Sequence, residues 1–133
     1  MATAPASLPT SHHDLLQNDV AVLATIAPDG HPQVTGIWFL ADDEGTVRLS
    51  LNTIRKKVRN LQQHPECTLF LIDRTNPYRT LEIRARAEIQ PDPDYAFADK
   101  VGAKYHADLR QRDRPGESRV VVTLHPVKYN TYG

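Results

Sequence analysis

The sequence predicts a mainly β fold, a closed antiparallel barrel with small helices over its openings. Three observations lead there. Short β-branched runs alternate at period two and are separated by turn signals such as Pro28-Asp29-Gly30 and Asp42-Asp43-Glu44-Gly45. The predicted order of helix, three strands, helix, two strands, helix and one or two strands does not alternate strand with helix, which argues against a parallel doubly wound sheet. Closure into a barrel removes the exposed edges that so many antiparallel strands would leave.

Ser11-His12-His13-Asp14 is an S-x-x-D capping signature ahead of Leu15 and Leu16, predicting a short helix over about 12–18. Val20 to Ile26 is a compact β-branched run, and the Pro-Asp-Gly turn after it sends a second strand, Gln33 to Leu40, back as a hairpin. Val47, Leu49 and Leu51 alternate with Arg48 and Ser50 as a half-buried third strand. From Thr53 the period changes: Ile54, Val58 and Leu61 fall at i, i+4 and i+7, a short amphipathic helix stopped near Pro65. Cys67 to Ile72 is a fourth strand, Asp73 to Tyr78 a loop, and Leu81 to Gln90 a long alternating fifth strand. Asp92 as N-cap with Pro93 at the first helical position opens a helix to Tyr105 with Phe97, Val101 and Tyr105 as its core stripe. A polar loop runs to Ser118. Arg119 to His125 is a sixth strand, ended or bent by Pro126, and Val127 to Tyr132 extends the sheet edge.

At 133 residues the chain has room for one core and one cleft, with a flexible start over residues 1–11 and a single domain over 12–133. Large ligands would need a second subunit. Sixteen Lys and Arg balance sixteen Asp and Glu, so no global field draws the molecule to nucleic acid or acidic lipid, and any electrostatic function is local. Cys67, the single cysteine, excludes an internal disulfide and fits a reducing cytoplasm. The N-terminus has no basic region and apolar run of the kind a signal peptide or membrane span needs, so a cytoplasmic protein is expected.

The sharpest chemical feature is L-S-L-N-T-I-R-K-K-V-R-N-L, where a strand passes through small polar residues into a helix carrying Arg55, Lys56, Lys57 and Arg59. Unpaired N–H groups at a helix N-terminus, small polar side chains and adjacent cations make a phosphate-sized site. A solvated basic face is the other reading. Cations in a first turn are unfavourable unless something negative binds there, which tips the balance towards a ligand. Trp38 and Phe39 lie on the second strand, one expected in the core and the other at the opposite face or an interface. Tyr78-Arg79 ends a Pro-containing loop, where a phenol and a guanidinium can reach a partner's ligand. The six histidines have no spacing that sets two metal ligands on one face, and no Walker, G-x-S-x-G or G-x-G-x-x-G pattern occurs, so no metal is expected.

In succession, V-A-V-L-A-T-I-A-P-D-G-H-P-Q-V-T-G-I-W-F, K-K-V-R-N-L-Q-Q-H-P, L-E-I-R-A-R-A-E and R-V-V-V-T-L-H-P-V-K-Y resemble the pyridoxamine 5'-phosphate oxidase-like split β-barrel superfamily, and more closely its small deazaflavin, coenzyme F(420)-dependent branch. The resemblance covers about residues 12–132 and implies a six-stranded antiparallel split β-barrel of the FMN-binding split-barrel type. It implies a homodimer with cofactor sites at the subunit interface. Gln33, Val34 and Thr35 would hold the ring system; Ser50, Asn52, Thr53, Arg55, Lys57 and Asn60 would hold phosphate. Tyr78 and Arg79 match a loop that reaches the neighbouring subunit's cofactor. Ala85 stands where the family commonly has Gly, and the Arg- and Trp-rich C-terminal substrate segment of pyridoxamine phosphate oxidases is missing.

The activity this implies is hydride transfer from reduced F(420) to a small unsaturated, carbonyl or aromatic substrate, with no nucleic-acid or membrane partner. The protein would supply binding, orientation and exclusion of water, with a Tyr or solvent delivering the proton. The alternatives are an FMN-binding flavoprotein of the same fold and a non-catalytic cofactor- or haem-binding module.

Overall fold

The computed structural model describes residues 6–133, so the first five residues of the expected flexible start lie outside the described residues. The elements are a 3-10 helix (Thr10–Gln17), β1 (Ala21–Ile26), β2 (Pro32–Ile37), β3 (Leu40–Ala41), β4 (Val47–Asn52), α1 (Lys56–Gln63), β5 (Glu66–Asp73), β6 (Asn76–Pro91), α2 (Ala96–Tyr105), a second 3-10 helix (Leu109–Arg112) and β7 (Arg119–Tyr132). All strand pairs are antiparallel, in the order β2-β1-β5-β6-β7-β4-β3. The fold is mainly β, an antiparallel split barrel.

Seven strands stand where six were expected, because the predicted second strand breaks at Trp38-Phe39. The break has a topological cause. β2 and β3 are the two edges of the sheet yet are consecutive in sequence, so the chain crosses the split of the barrel between them. Phe39 is fully buried in the barrel core, whereas Trp38 turns to a second apolar cluster under α2, with Ala98, Val101 and Leu109. The core is built from alternate strand residues such as Leu23, Leu49, Leu69, Leu81 and Val122, together with Leu15 and Leu16 of the first 3-10 helix and Val58 and Leu61 of α1.

Four local expectations are corrected. The N-terminal helix is 3-10, follows Pro9 without a side-chain cap, and already includes Thr10 and Ser11; Ser11 instead bonds the His12 ring, and Asp14 pairs with Arg79. α1 begins at Lys56 rather than Thr53, since Asn52 Oδ1 accepts from Ile54 N–H and holds residues 52–54 in a turn. The loop expected over Asp73–Tyr78 is a tight turn at Arg74-Thr75, where Asp73 accepts from the Thr75 N–H and hydroxyl and β6 resumes at Asn76. Asp92 does cap α2, but from a distance: its carboxylate accepts from Phe97 and Ala98 N–H, while Pro93 and Asp94 form a turn and Tyr95 takes a left-handed conformation at φ 59°. Only Val101 of the expected core stripe is fully buried. Pro126 bends rather than ends β7, at a bulge opposite Arg84/Ala85.

Candidate functional site

β4 delivers its C-terminal end, Ser50 to Asn52, to the point where α1 begins, and pairing with β7 sets Arg119 and the preceding loop directly beside them. Between these and the end of β2 lies a cleft of about 680 Å³. Val20, Gly36, Ile37, Trp38 and Ile54 supply an apolar side; the polar one holds Ser50, Asn52, the cations Arg55, Lys57, Arg112, Arg114 and Arg119, and the carboxylates Asp113 and Glu117.

A closed network fixes the wall. Asp113 accepts from Arg119 Nε at 2.8 Å and a second guanidinium nitrogen at 2.9 Å, from Asn52 Nδ2 at 3.0 Å and from the Tyr95 hydroxyl at 2.7 Å. Arg119 also reaches Ser50 Oγ at 3.3 Å, and Asn52 Nδ2 donates to Glu117 at 3.0 Å. The Arg119 and Asp113 side chains are 9% and 4% exposed. Burial alone would raise the Asp113 carboxyl, but hydrogen bonds from Arg119, Tyr95 and Asn52 outweigh it and hold its pKa below the usual carboxylate value. No buried side-chain nitrogen or oxygen among the described residues lacks a partner, so the network sets geometry without leaving a stranded group.

Of the residues singled out by sequence, Ser50, Asn52, Arg55 and Lys57 line this cleft. Thr35 joins them through Lys57, whose ammonium donates to the Thr35 hydroxyl at 3.1 Å. Burial, and then the neighbouring Arg55, push the Lys57 pKa below its ordinary value. Gln33 and Asn60 line a second cavity of about 560 Å³ beside α1, with Lys56 and Arg59. There the Asn60 amide donates to Thr25 Oγ1 at 3.0 Å and Gln33 Oε1 at 2.7 Å. Thr53 is bonded to Ser118, and Val34 points outward, 59% exposed. Tyr78 and Arg79 lie away from both cavities: Tyr78 is 75% exposed, and Arg79 is committed to Asp14 and Asp73.

The distribution of arginines marks the site. Arg48, Arg74, Arg79, Arg84, Arg86, Arg110 and Arg119 each pair with a carboxylate. The remaining four, Arg55, Arg59, Arg112 and Arg114, have no carboxylate partner among the described residues, and all four line the two cavities flanking α1. Lys56 and Lys57 are likewise without one. Lys100, Lys104 and Lys128 also lack a carboxylate partner among the described residues and lie elsewhere, but every unpaired arginine is at these two cavities, and such a concentration attracts anions. Sequence reasoning found the α1 half and missed the half carried by Arg112, Arg114 and Arg119. Three alternating arginines in L-R-Q-R-D-R-P-G-E were the available signal, but only the pairing of β4 with β7 brings that run to α1.

Cys67 is buried among apolar side chains, and burial followed by the Glu66 charge pushes its thiol up to about 11, so it is no nucleophile at neutral pH. None of the five tyrosines lines the main cleft; the Tyr105 hydroxyl is bound to the Phe39 and Asp19 backbone. Among the described residues no three of His, Cys, Asp and Glu are grouped to hold a metal ion, and no helix is long and apolar enough to cross a membrane.

The family model described as pyridoxamine 5'-phosphate oxidase matches residues 9–133. Among solved structures, an F(420) reductase is 36% identical, with 92% of this chain and 98% of that one covered and a TM-score of 0.80. A conserved hypothetical protein of Mycobacterium tuberculosis is 22% identical, with 99% and 89% covered and a TM-score of 0.76. The HupZ protein of Group A Streptococcus is 20% identical, with 93% of each chain covered and a TM-score of 0.71; these last two show the fold alone. No curated protein matches the chain. The split barrel, the match along nearly the whole chain and the likeness to the reductase make this protein a member of the pyridoxamine 5'-phosphate oxidase-like family, in the branch that holds F(420) reductases.

Proposed function

We propose that the protein is an oxidoreductase that uses reduced coenzyme F(420), bound in the cleft at the start of α1, to reduce a small unsaturated, carbonyl or aromatic substrate. The observation that carries this reading is the set of unpaired cations, Arg55 and Lys57 foremost, gathered at one cleft in a chain 36% identical to an F(420) reductase. The residues fit the group. Arg55 and Lys57 would bind the anionic phosphodiester, Arg offering a bidentate fork and Lys a mobile charge. Val20, Gly36 and Ile54 offer an apolar surface for a planar ring, where exposed Gly36 lets a ligand approach the backbone. Lys56 and Arg59 in the adjoining cavity extend the positive surface along α1, which suits a cofactor bearing several negative charges. When bound, the reduced deazaflavin supplies hydride from its C5. No tyrosine of the same chain lines the cleft, so the accompanying proton comes from solvent or from a tyrosine that the second subunit brings to it.

The protein acts as a homodimer with its cofactor sites at the interface. Supporting this, the outer face of β1, β2 and β5 carries Val22, Val34, Phe70 and Ile72, and continues through Val20 into the cleft. Tyr78 would then serve the partner's site, since its own cleft is out of reach; Arg79 stays with Asp14 and Asp73 unless dimerisation frees it. Titration of the purified protein with F(420) and, separately, FMN tests the reading. Tight F(420) binding with weak FMN binding is expected; preference for FMN would make this an FMN flavoprotein, and binding of neither would leave a non-catalytic split-barrel module.

A further inference from the structure

The cleft has two basic edges that belong to different elements. One is the start of α1, with Arg55 and Lys57; the other is the second 3-10 helix and the loop after it, with Arg112 and Arg114. We propose that Arg112 and Arg114 form a separate recognition edge for a carboxylate group of the substrate. The inference rests on reading the cleft as a cofactor and substrate site, and it assigns the substrate's chemical class.

The geometry of Arg112 carries the argument. Its guanidinium lies over the Trp38 ring, 4.7 Å from the centroid. Trp38 is itself stacked on Tyr105, with centroids 4.3 Å apart and planes 4° from parallel, so the ring that carries Arg112 is held in place. Tyr105 is anchored in turn: its hydroxyl accepts from Phe39 N–H at 3.0 Å and lies 2.6 Å from the Asp19 carbonyl. A guanidinium seated over an aromatic ring is restrained there without spending its N–H donors on the ring, which leaves them free for a planar carboxylate to accept from in bidentate fashion. A tetrahedral phosphate suits the helix N-terminus on the other edge better.

The backbone between Arg112 and Arg114 is equally fixed. Asp113 is the buried anchor of the Arg119–Asn52–Tyr95 network, so the residues on either side of it are held at the cleft rim rather than left on a free loop. Arg110, two positions earlier, bonds Asp99 and the Asp94 carbonyl and takes no part. Thus one loop arginine is spent on structure, while Arg112 and Arg114 face the cleft without a carboxylate partner among the described residues. A bound carboxylate would supply it.

Benzoate and its neutral isostere benzamide test the edge directly, read by the fluorescence of Trp38, the single tryptophan. In the cofactor-free protein benzoate should bind at least about tenfold more tightly than benzamide, the ratio expected for a charge-assisted hydrogen-bonded pair. Arg112→Ala and Arg114→Ala should each bring that ratio close to one, with Arg112→Lys intermediate because it keeps charge without the fork. Arg55→Ala should leave the ratio unchanged while weakening F(420), and Arg112→Ala should leave F(420) affinity within about twofold. Equal binding of benzoate and benzamide, or a ratio that survives in both Arg112→Ala and Arg114→Ala, would overturn the proposal. So would loss of F(420) affinity in Arg112→Ala, which would assign this edge to the cofactor's own carboxylates. If F(420) fails to bind and the benzoate ratio behaves as expected, the cofactor reading falls and the carboxylate edge stands.

Discussion

Lys57 sits where two opposing demands meet. Its ammonium is partly withdrawn from water and faces the Arg55 charge, which lowers its pKa, yet it is held by the Thr35 hydroxyl with no carboxylate to compensate. An anion bound at the start of α1 would relieve that deficit. Lys57→Ala should therefore weaken F(420) binding by about 1.5–3 kcal/mol, the range for a hydrogen bond to a charged group, with the thermal midpoint of the free protein unchanged or raised. The pH dependence has a defined sign. Because a bound anion raises the Lys57 pKa, binding takes up protons, so affinity should be flat well below the unliganded Lys57 pKa and fall as pH rises through it. Calorimetric titration across the alkaline range checks this, and Lys57→Ala should flatten the profile.

At the level of elements, α2 is the least regular and the most informative. It covers the split of the barrel, and its last turn pins the corner: Lys104 donates to the Asn18 and Phe39 carbonyls at 3.1 and 2.8 Å and lies over the Phe39 ring. The helix ends with His106 in a left-handed conformation, and Ala107 N–H returns to the Gly102 carbonyl at 2.9 Å. That closure needs glycine at 102, where a Cβ would meet the Ala107 carbonyl oxygen at 2.3 Å. Gly102→Ala should cost about 1–3 kcal/mol, the usual penalty of forced overpacking, read as a lower denaturation midpoint. Near-neutral behaviour would show that this helix end is loose. Much of the barrel was legible in sequence: β4 and β6 carry the period-two alternation that is a direct imprint of one buried face, and β1 and β7 stand out as compact β-branched runs. The break at Trp38-Phe39 was not, since alternation continues across it and only the meeting of two sheet edges demands it. Asp92 was legible as a cap, but not the turn that places it four residues before α2. The basic start of α1 was legible as a local cluster, whereas Arg112 and Arg114 join it through strand pairing between distant segments.

For the whole molecule, the outer face of β1, β2 and β5 groups apolar side chains in contact with water: Val20 and Val34 are 54% and 59% exposed, and Val22 lies in register between Gly36 and Phe70. A soluble dimer would cover it. Sedimentation should give twice the chain mass, and Val34→Glu should shift the protein towards monomer and weaken F(420) in parallel; a monomeric wild type that binds F(420) fully would remove the interface from the function. The pairing of β4 with β7 also bears on time. Arg119 reaches Ser50 from 69 positions along the chain, so the wall of the cleft cannot exist until the last strand has docked. Contacts so distant in sequence form late and slowly in folding. The cleft is therefore a product of completion: a partly folded chain has nothing with which to hold an anion, and a ligand that binds there draws the population towards the finished barrel alone.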